Sequence, residues 1–192
     1  MNSLVKSLGV ISVLAKSLQC DYAFQEQYNK IRDTCIAGMK SGSKMLIAGN
    51  GGSAAEASHF VAELVGRFAK NRRALPAMSL CVDPSVVTAW SNDVGFEDVF
   101  ARQVEAYGCQ GDILMVISTS GKSNNLLRAV ATAKKCSMIT MGLLGNTGAD
   151  LVGQCDISLV VPTTSTSHIQ EIHLSIIHAL AFDIEDSFDE IS

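Results

Sequence analysis

The first forty residues contain two stretches in which apolar side chains recur every three to four positions. One runs from residue 3 to 19, where Leu4, Leu8 and Leu18 belong to the series, and the other runs from 23 to 39. Such spacing predicts two amphipathic helices before any strand. Because a single α/β layer need not consume these apolar stripes, we expect residues 1–40 to pack against other copies of the chain.

From residue 44 onward, short apolar runs alternate with helical stretches. Runs of four to six apolar residues between turn-forming residues are typical of strands that are buried on both faces. The alternation predicts a three-layer α/β fold in which helices flank a five-stranded parallel sheet. The length favours one domain, 1–192, with an α/β core over 44–192. The predicted strands are 45–48, 77–81, 113–117, 138–143 and 157–161, and the predicted helices are 54–68, 85–90, 97–107, 124–135, a short turn near 150, and 167–188.

Composition narrows the classes of partner. The 192 residues include 15 Lys and Arg against 19 Asp and Glu, and they lack the basic stripe that neutralises a phosphate backbone. We therefore expect no nucleic-acid partner. The longest uncharged stretch lies between Lys135 and Asp150 and is interrupted by glycines. It is too short to span a bilayer, so we expect no membrane partner and a cytoplasmic protein.

Two groups of residues have simple structural explanations. The six cysteines are scattered without a Cys-x-x-Cys pair, which favours small buried thiols in a reducing compartment over disulfides or a zinc site. The only basic cluster is formed by Arg67, Lys70, Arg72 and Arg73. A solvated loop explains this cluster without any function, although a functional role stays open.

Loops that follow strands are the expected ligand sites, because open parallel sheets bind ligands at the carboxyl ends of their strands. Residues 118–123 read Ser-Thr-Ser-Gly-Lys-Ser before a predicted helix. Their hydroxyls, the backbone N–H groups and the helix N-terminus favour a phosphate. An N-cap role for Ser123 would explain one hydroxyl but not the others. Lys122 either adds charge or faces solvent.

The loop after the first strand, residues 49–53, forms with Ala54 the pattern G-x-G-x-x-A of dinucleotide-binding folds. Such a site needs an acidic residue about 20 positions later, where this chain is basic. The second, hydroxyl-rich loop favours instead one small phosphorylated ligand shared between both loops. A dinucleotide-dependent oxidoreductase stays open as an alternative.

His59 and Glu63 lie four residues apart on one predicted helix and therefore on one face. This spacing suits metal ligation or a paired acid and base, and it is also common in ordinary surface contacts. The last predicted helix contains His168, His173 and His178, three of the four histidines in the chain. Because histidine is costly to bury without a partner, this concentration predicts specific roles.

Gln170 and His178 are separated by ~12 Å along a helix axis at 1.5 Å per residue. One metal cannot easily take both from a single straight helix, so we expect chains to share the site. Asn92 and Asp93 are predicted in a loop near the carboxyl edge of the sheet. There Asp93 is either a ligand for sugar hydroxyls or a turn former.

Four segments in order, GNGGSAAEASHFVAELVGRF, AWSNDVGF, ISTSGKSNN and IQEIHLSIIH, resemble the sugar isomerase (SIS) domain family and, within it, the phosphoheptose isomerases. The resemblance covers nearly the whole chain. It implies a flavodoxin-like sheet, a homotetramer, and conversion of sedoheptulose 7-phosphate to D-glycero-D-manno-heptose 7-phosphate for bacterial surface polysaccharide. Ala54 and Lys122 depart from the commonest pattern, which affects the expected specificity more than the reaction type.

The resemblance also implies individual roles. An aldose–ketose isomerisation needs a base for a C–H bond beside a carbonyl and an acid for the oxygen, and we expect Glu63 and His178 to supply them through an enediol. A non-catalytic SIS protein that binds a partner, such as the replication initiator, or senses a sugar phosphate is the rival hypothesis. The implied substrate-binding residues are Asn50, Gly51, Gly52, Glu63, Asn92, Asp93, Ser118, Thr119, Ser120, Ser123 and Gln170, and the implied ligands of one zinc ion per site are His59, Glu63, Gln170 and His178.

Overall fold

The computed structural model describes residues 2–188, which form an α/β fold around a five-stranded, wholly parallel sheet. The strands are β1 (Met45–Gly49), β2 (Ala77–Ser79), β3 (Ile113–Ser118), β4 (Ile139–Gly145) and β5 (Ile157–Val161). Their order in the sheet is β2-β1-β3-β4-β5. In this doubly wound order the sheet grows in both directions from β1 and β3, and ligand sites form at that switch point.

Helices cover both faces of the sheet, which confirms the predicted three-layer class. Along β1, Met45 and Ile47 point into one hydrophobic core, while Leu46 and Ala48 point into the other. The helices are α1 (Ser3–Gln19), α2 (Tyr22–Lys40), α3 (Gly52–Val65), α4 (Pro84–Asp93), α5 (Val99–Tyr107), α6 (Asn124–Lys135), α7 (Ala149–Val152) and α8 (Thr166–Asp186). The first core is covered by α1, α2, α3 and α8, and the second by α4 to α7.

The two N-terminal helices differ in how much they bury. α2 buries Ile31, Cys35 and Met39, whereas α1 buries only Leu18. Apolar side chains of α1 stay exposed, among them Leu4 (65%) and Val13 (70%). An apolar helix face left in solvent is what the expected packing between subunits requires.

Three local expectations are wrong. α3 ends at Val65 rather than 68, because Gly66 leaves helical geometry and the following N–H groups bond to another helix. α4 continues through Asp93, so Asn92 and Asp93 lie in its last turn and not in a loop. All six cysteines are free as expected, but Cys20 and Cys109 are exposed rather than buried.

Helix length and apolarity bear on membrane association. Within residues 2–188 no single helix is long and apolar enough to cross a bilayer. The pair α1 and α2, bent by 80°, meets the requirement by length and composition only.

Candidate active site

A crevice of about 510 Å³ lies between α3 and α8. α3 begins at the carboxyl end of β1, and α8 follows β5, so both helices start at the sheet edge where ligands are expected. The residues that line the crevice are Gly52, Ala55, Glu56 and His59 from α3 and Ser167, Gln170, Glu171, Leu174 and His178 from α8.

His59, Glu63 and His178 meet at this crevice. The His59 Nε2 atom lies 2.9 Å from His178 Nε2 and 3.5 Å from Glu63 Oε1. One donor atom from each of the three side chains lies within 4.8 Å of the other two. The one-turn spacing on α3 aligns His59 with Glu63, as the sequence predicts, and the crossing of α8 adds His178.

The donor set of these three residues suits a divalent metal ion. Catalytic zinc sites often use three nitrogen and oxygen ligands and keep a further position open. Two ligands of a tetrahedral zinc ion, each about 2.0–2.1 Å from it, lie ~3.3 Å apart. The separations of 2.9 Å and 3.5 Å fall on either side of that value. The chemistry and the spacing of the cluster therefore fit zinc.

Gln170 lines the same crevice two turns before His178. Its carboxamide lies against Gly52, where a methyl group would overlap the side-chain nitrogen of Gln170. Both residues line one crevice because it runs along α8, and the expectation that one metal cannot easily take Gln170 and His178 from a single straight helix stays a prediction. The expectation that subunits also share the site stays a prediction.

The ring of Phe68 lies against the His178 ring. The two ring centres are 5.8 Å apart and their planes differ by 28°. His59 contacts the same imidazole edge-on, at 5.1 Å and 68°. His178 is therefore oriented by an apolar ring and by a second imidazole.

The segment that contains Phe68 is attached to the end of α8. The Glu185 carboxylate accepts hydrogen bonds from the backbone N–H groups of Phe68 (2.9 Å), Ala69 (2.6 Å) and Lys70 (2.9 Å). Burial by itself would raise the pKa of Glu185, but these donors and the Arg72 guanidinium outweigh it and lower that pKa from its ordinary value. The carboxylate thus fixes the course of the chain after α3.

The interpretation of the basic cluster as a solvated loop holds for the exposed Arg67 and Arg73 but is wrong for Arg72. Arg72 is buried, and its Nε atom lies 3.2 Å from Glu185 Oε1. Its guanidinium also donates to the backbone oxygens of Glu63 (2.7 Å) and Gly66 (2.9 Å). Arg72 therefore caps the carboxyl end of α3, the helix that carries His59 and Glu63.

The three histidines of α8 have different surroundings. His168 Nε2 lies 3.2 Å from the Ser7 hydroxyl of α1. His173 is fully buried beside Glu56. Only His178 belongs to the cluster with His59. The concentration of histidine in the sequence therefore reflects three separate contacts rather than one site.

The loop after β3 folds around its own hydroxyl groups. Ser118 is buried, and its Oγ atom accepts a hydrogen bond from the Gly121 N–H at 3.0 Å. Gly121 has φ +68°, and a side chain there would overlap the Gly148 carbonyl. The glycine is thus required both by the backbone conformation and by the close approach of the next loop.

The remaining hydroxyls of this loop are more accessible. Ser123 occupies the N-cap position of α6, but its side chain makes no capping hydrogen bond. Thr119 is half-buried, and Ser120 is exposed with a weak 3.4 Å contact to the Lys122 N–H. An N-cap role therefore does not explain Ser123, whose hydroxyl is left for a ligand at a helix N-terminus.

Asn50 and Asn125 tie the two ligand loops together. Each side-chain amide donates to the oxygen of the other at 2.9 Å. The loops meet because β1 and β3 are neighbours, with Gly49 opposite Ile117. Within the loop after β1, Gly51 has φ +58° at the start of α3. Both loops thus lie close enough to contact one ligand, as the sequence predicts.

Asn92 and Asp93 do not line the crevice within the described chain. They are exposed at the end of α4, where Asn92 Nδ2 donates to Asp93 Oδ1 at 2.9 Å. Their proposed contact with sugar hydroxyls has no support from the geometry of one chain.

Sequence reasoning missed Glu56, Phe68, Asn125 and Glu185 and misjudged Arg72. Each of these residues acts through a partner on a distant element, so no local motif identifies it. The clustered arginines were a partial signal, because arginine is the cation most suited to a buried ion pair.

The chain is similar to several known proteins. Residues 18–145 match the family model of the SIS domain. A phosphoheptose isomerase of a Nitratiruptor species is 53% identical over 154 residues, which are 80% of this chain and 82% of that protein. Phosphoheptose isomerase 1 of Campylobacter jejuni subsp. jejuni is 47% identical over 173 residues, covering 90% and 93%. A solved phosphoheptose isomerase from Francisella tularensis superimposes with a TM-score of 0.88 at 35% identity, covering 97% of this chain and 100% of the other.

Proposed function

Because the chain belongs to the SIS domain family and, within it, to the phosphoheptose isomerases, we propose that it converts sedoheptulose 7-phosphate to D-glycero-D-manno-heptose 7-phosphate. The chain is thus an enzyme, an aldose–ketose isomerase. The observation that carries the proposal is the convergence of Glu63 and His178 on His59, where α3 meets α8. A carboxylate and an imidazole at this distance are a suitable base and acid for neighbouring atoms.

The proposed reaction moves one proton between two carbons and rearranges the protons on two oxygens. Glu63 removes a proton from C1 of the ketose while His178 gives a proton to the C2 oxygen, which yields an enediol. Glu63 then returns its proton to C2, and His178 takes the proton from the C1 oxygen. The aldose forms, and both residues recover their starting protonation.

Zinc is proposed as the cofactor, held by His59, Glu63, Gln170 and His178. When bound, the ion would polarise or orient the substrate oxygens on the reacting carbons. A carboxylate has two oxygens and an imidazole two nitrogens, so Glu63 and His178 would each have a second atom to face the substrate if the first held the ion.

The phosphate is proposed to bind at the loop after β3, through Ser118, Thr119, Ser120 and Ser123. The uncapped Ser123 at the α6 N-terminus supports this assignment. The substrate chain then extends toward the loop after β1, where Asn50, Gly51 and Gly52 approach it. Asn92 and Asp93 stay assigned to sugar hydroxyls by family resemblance alone.

The assembly, the cellular location and the metabolic role of the enzyme are also proposed. A homotetramer is proposed, and the exposed apolar side chains of α1 support packing between subunits. The proposed location is the cytoplasm, since a sugar phosphate is a charged metabolite that does not cross a bilayer. The heptose product is proposed to supply surface-polysaccharide synthesis.

Turnover of sedoheptulose 7-phosphate tests the proposal, with zinc present and after chelation. The wild-type chain is expected to release the aldose, while Glu63→Gln and His178→Gln lose about 10²-fold or more in kcat. Glu105→Gln is the matched control, because Glu105 is exposed in a surface ion pair on α5. A folded wild-type protein without turnover would contradict the proposal and favour the non-catalytic SIS hypothesis. A rise in melting temperature with NAD but not with the heptulose phosphate would favour the dinucleotide-dependent oxidoreductase.

A further inference from the structure

A second pair of ionisable side chains joins α3 to α8 beneath the crevice. Glu56 is 4% exposed and His173 is 0% exposed. The His173 Nδ1 atom lies 3.7 Å from Glu56 Oε2. Among the described residues, neither Glu56 oxygen nor this nitrogen has a hydrogen-bond partner. A buried carboxylate in such surroundings is costly unless it is paired with the imidazole.

The other nitrogen of His173 faces the sheet. His173 Nε2 lies 3.2 Å from the backbone oxygen of Leu144, in β4. A carbonyl oxygen only accepts, so Nε2 must carry a proton and donate. Nδ1 therefore faces Glu56, at 3.7 Å from its Oε2 atom. From its position on α8, His173 therefore contacts both β4 and α3.

The pair is in register with the candidate active site. Glu56 precedes His59 by three residues and Glu63 by seven, so the three side chains lie on one face of α3. His173 follows Gln170 by three residues on α8, which places these two side chains one turn apart. Glu56 itself lines the crevice. Any slide of α8 along α3 would separate Glu56 from His173 and also His59 from His178.

We propose that Glu56 and His173 are positioning residues, which fix the register of α3 against α8 so that His59 and Glu63 meet His178. The proposal rests on the proposed function, because it assigns the register to the zinc and proton-transfer site. Apolar contacts between two helices tolerate several registers, whereas a buried carboxylate and a buried imidazole face each other in only one. Neither residue touches the reacting atoms in this role.

Replacing both residues of the pair distinguishes an effect on the position of the active-site residues from an effect on the stability of the fold. In Glu56→Leu/His173→Phe both partners become apolar, so the melting temperature is expected to hold or rise. In Glu56→Gln the amide N–H faces Nδ1 and preserves the link. In His173→Gln the link to Leu144 can persist, but the link to Glu56 is lost. Gln103→Leu is the matched control, since Gln103 is a buried polar residue on the opposite face of the sheet.

Three measurements give the expected outcome. In the apolar double variant and in His173→Gln, kcat and zinc affinity should each fall about 10- to 100-fold, with a smaller change in KM. Glu56→Gln should stay within about 3-fold of wild type, and Gln103→Leu should lose stability but neither zinc affinity nor kcat. Side-chain ¹H–¹⁵N spectra should show displaced His59 and His178 signals in the double variant and an unchanged His168 signal.

Wild-type kcat, zinc affinity and His59 and His178 signals in the folded double variant would overturn the proposal. If that variant does not fold, equal losses in His173→Gln and Gln103→Leu would overturn it instead. A wild-type protein without isomerase activity or zinc affinity would reject the proposed function. The His59 and His178 signals would still report whether the pair sets their position, so the two failures are distinguishable.

Discussion

Arg72 and Glu185 form an ion pair with an Nε–Oε1 distance of 3.2 Å, and both side chains are 1% exposed. Arg72 caps the end of α3 through the Glu63 oxygen, while Glu185 belongs to the last turn of α8. The pair therefore joins the two helices of the crevice at their carboxyl ends. It also fixes the segment that brings Phe68 against His178.

The lowered pKa of Glu185 predicts a pH-dependent contribution to stability. Because the carboxyl binds its proton more weakly in the folded chain, the contribution is fully present above the ordinary carboxyl pKa of 4.5 and is lost as the pH falls through the folded value. At neutral pH, Glu185→Gln should cost about 3–5 kcal/mol, since it leaves Arg72 buried without its anion. The difference in melting temperature from wild type should narrow below about pH 4.5.

Thermal unfolding of both proteins between about pH 3 and 8 measures this effect. Glu105→Gln serves as the control, because removing an exposed ion pair should change stability by about 0.5 kcal/mol or less at any pH. A difference between wild type and Glu185→Gln that stays constant down to the lowest pH would contradict the assignment.

Gly52→Ala should impair the site without destabilising the fold. Gly52 has no positive φ, and alanine favours a helix by up to about 1 kcal/mol over glycine, so the backbone accepts the change. The added methyl would displace the Gln170 carboxamide, and kcat/KM should fall about 10- to 100-fold. Gly153→Ala is the control, because a methyl there meets open space. Unchanged kcat/KM in Gly52→Ala would show that the position of Gln170 is unimportant.

The sequence predicts the layers of the fold better than it predicts the buried pairs that position the side chains of the site. The strands follow from apolar runs, and the proximity of the loops after β1 and β3 follows from parallel topology. His59 and Glu63 are visible because a helix places residues four apart on one face. The pairs of Glu56 with His173 and of Arg72 with Glu185 join residues more than 100 positions apart, so no local periodicity reveals them.

The free hydroxyl of Ser123 predicts how the phosphate is held. Ser123→Ala removes a donor to the phosphate but no capping bond, so KM should rise about 3- to 10-fold while the melting temperature is unchanged. Lys122→Ala, at the neighbouring exposed position, should change KM less than about 2-fold, because neutral donors and the helix terminus hold the anion. Steady-state kinetics of both variants measure this. A large rise in KM for Lys122→Ala, together with an unchanged KM for Ser123→Ala, would show that the Lys122 charge holds the phosphate.

The exposed side chains of α1 predict an effect on oligomeric mass. Leu4 and Leu8 are 65% and 56% exposed, although both are large and apolar. Leu4→Ser/Leu8→Ser should shift the molecular mass measured by light scattering from that of the proposed tetramer toward smaller species, because it removes apolar area from the proposed subunit contact. Val94→Ser changes an apolar residue of similar exposure, 57%, at the end of α4 and should leave the mass unchanged. Equal masses for all three proteins would exclude α1 from the contact.

Mixed oligomers test whether one chain supplies both proton-transfer groups. Glu63 and His178 of a single chain lie in one cluster, so we expect one chain to supply both groups. When Glu63→Gln and His178→Gln proteins are unfolded and refolded together, activity should not exceed the mean of the two separate variants. Wild type refolded with Glu63→Gln should retain roughly half of the sites, which verifies that refolding recovers active sites. If the groups came from different chains, independent assortment would restore roughly a quarter of the sites, and recovery at that level would contradict the single-chain arrangement.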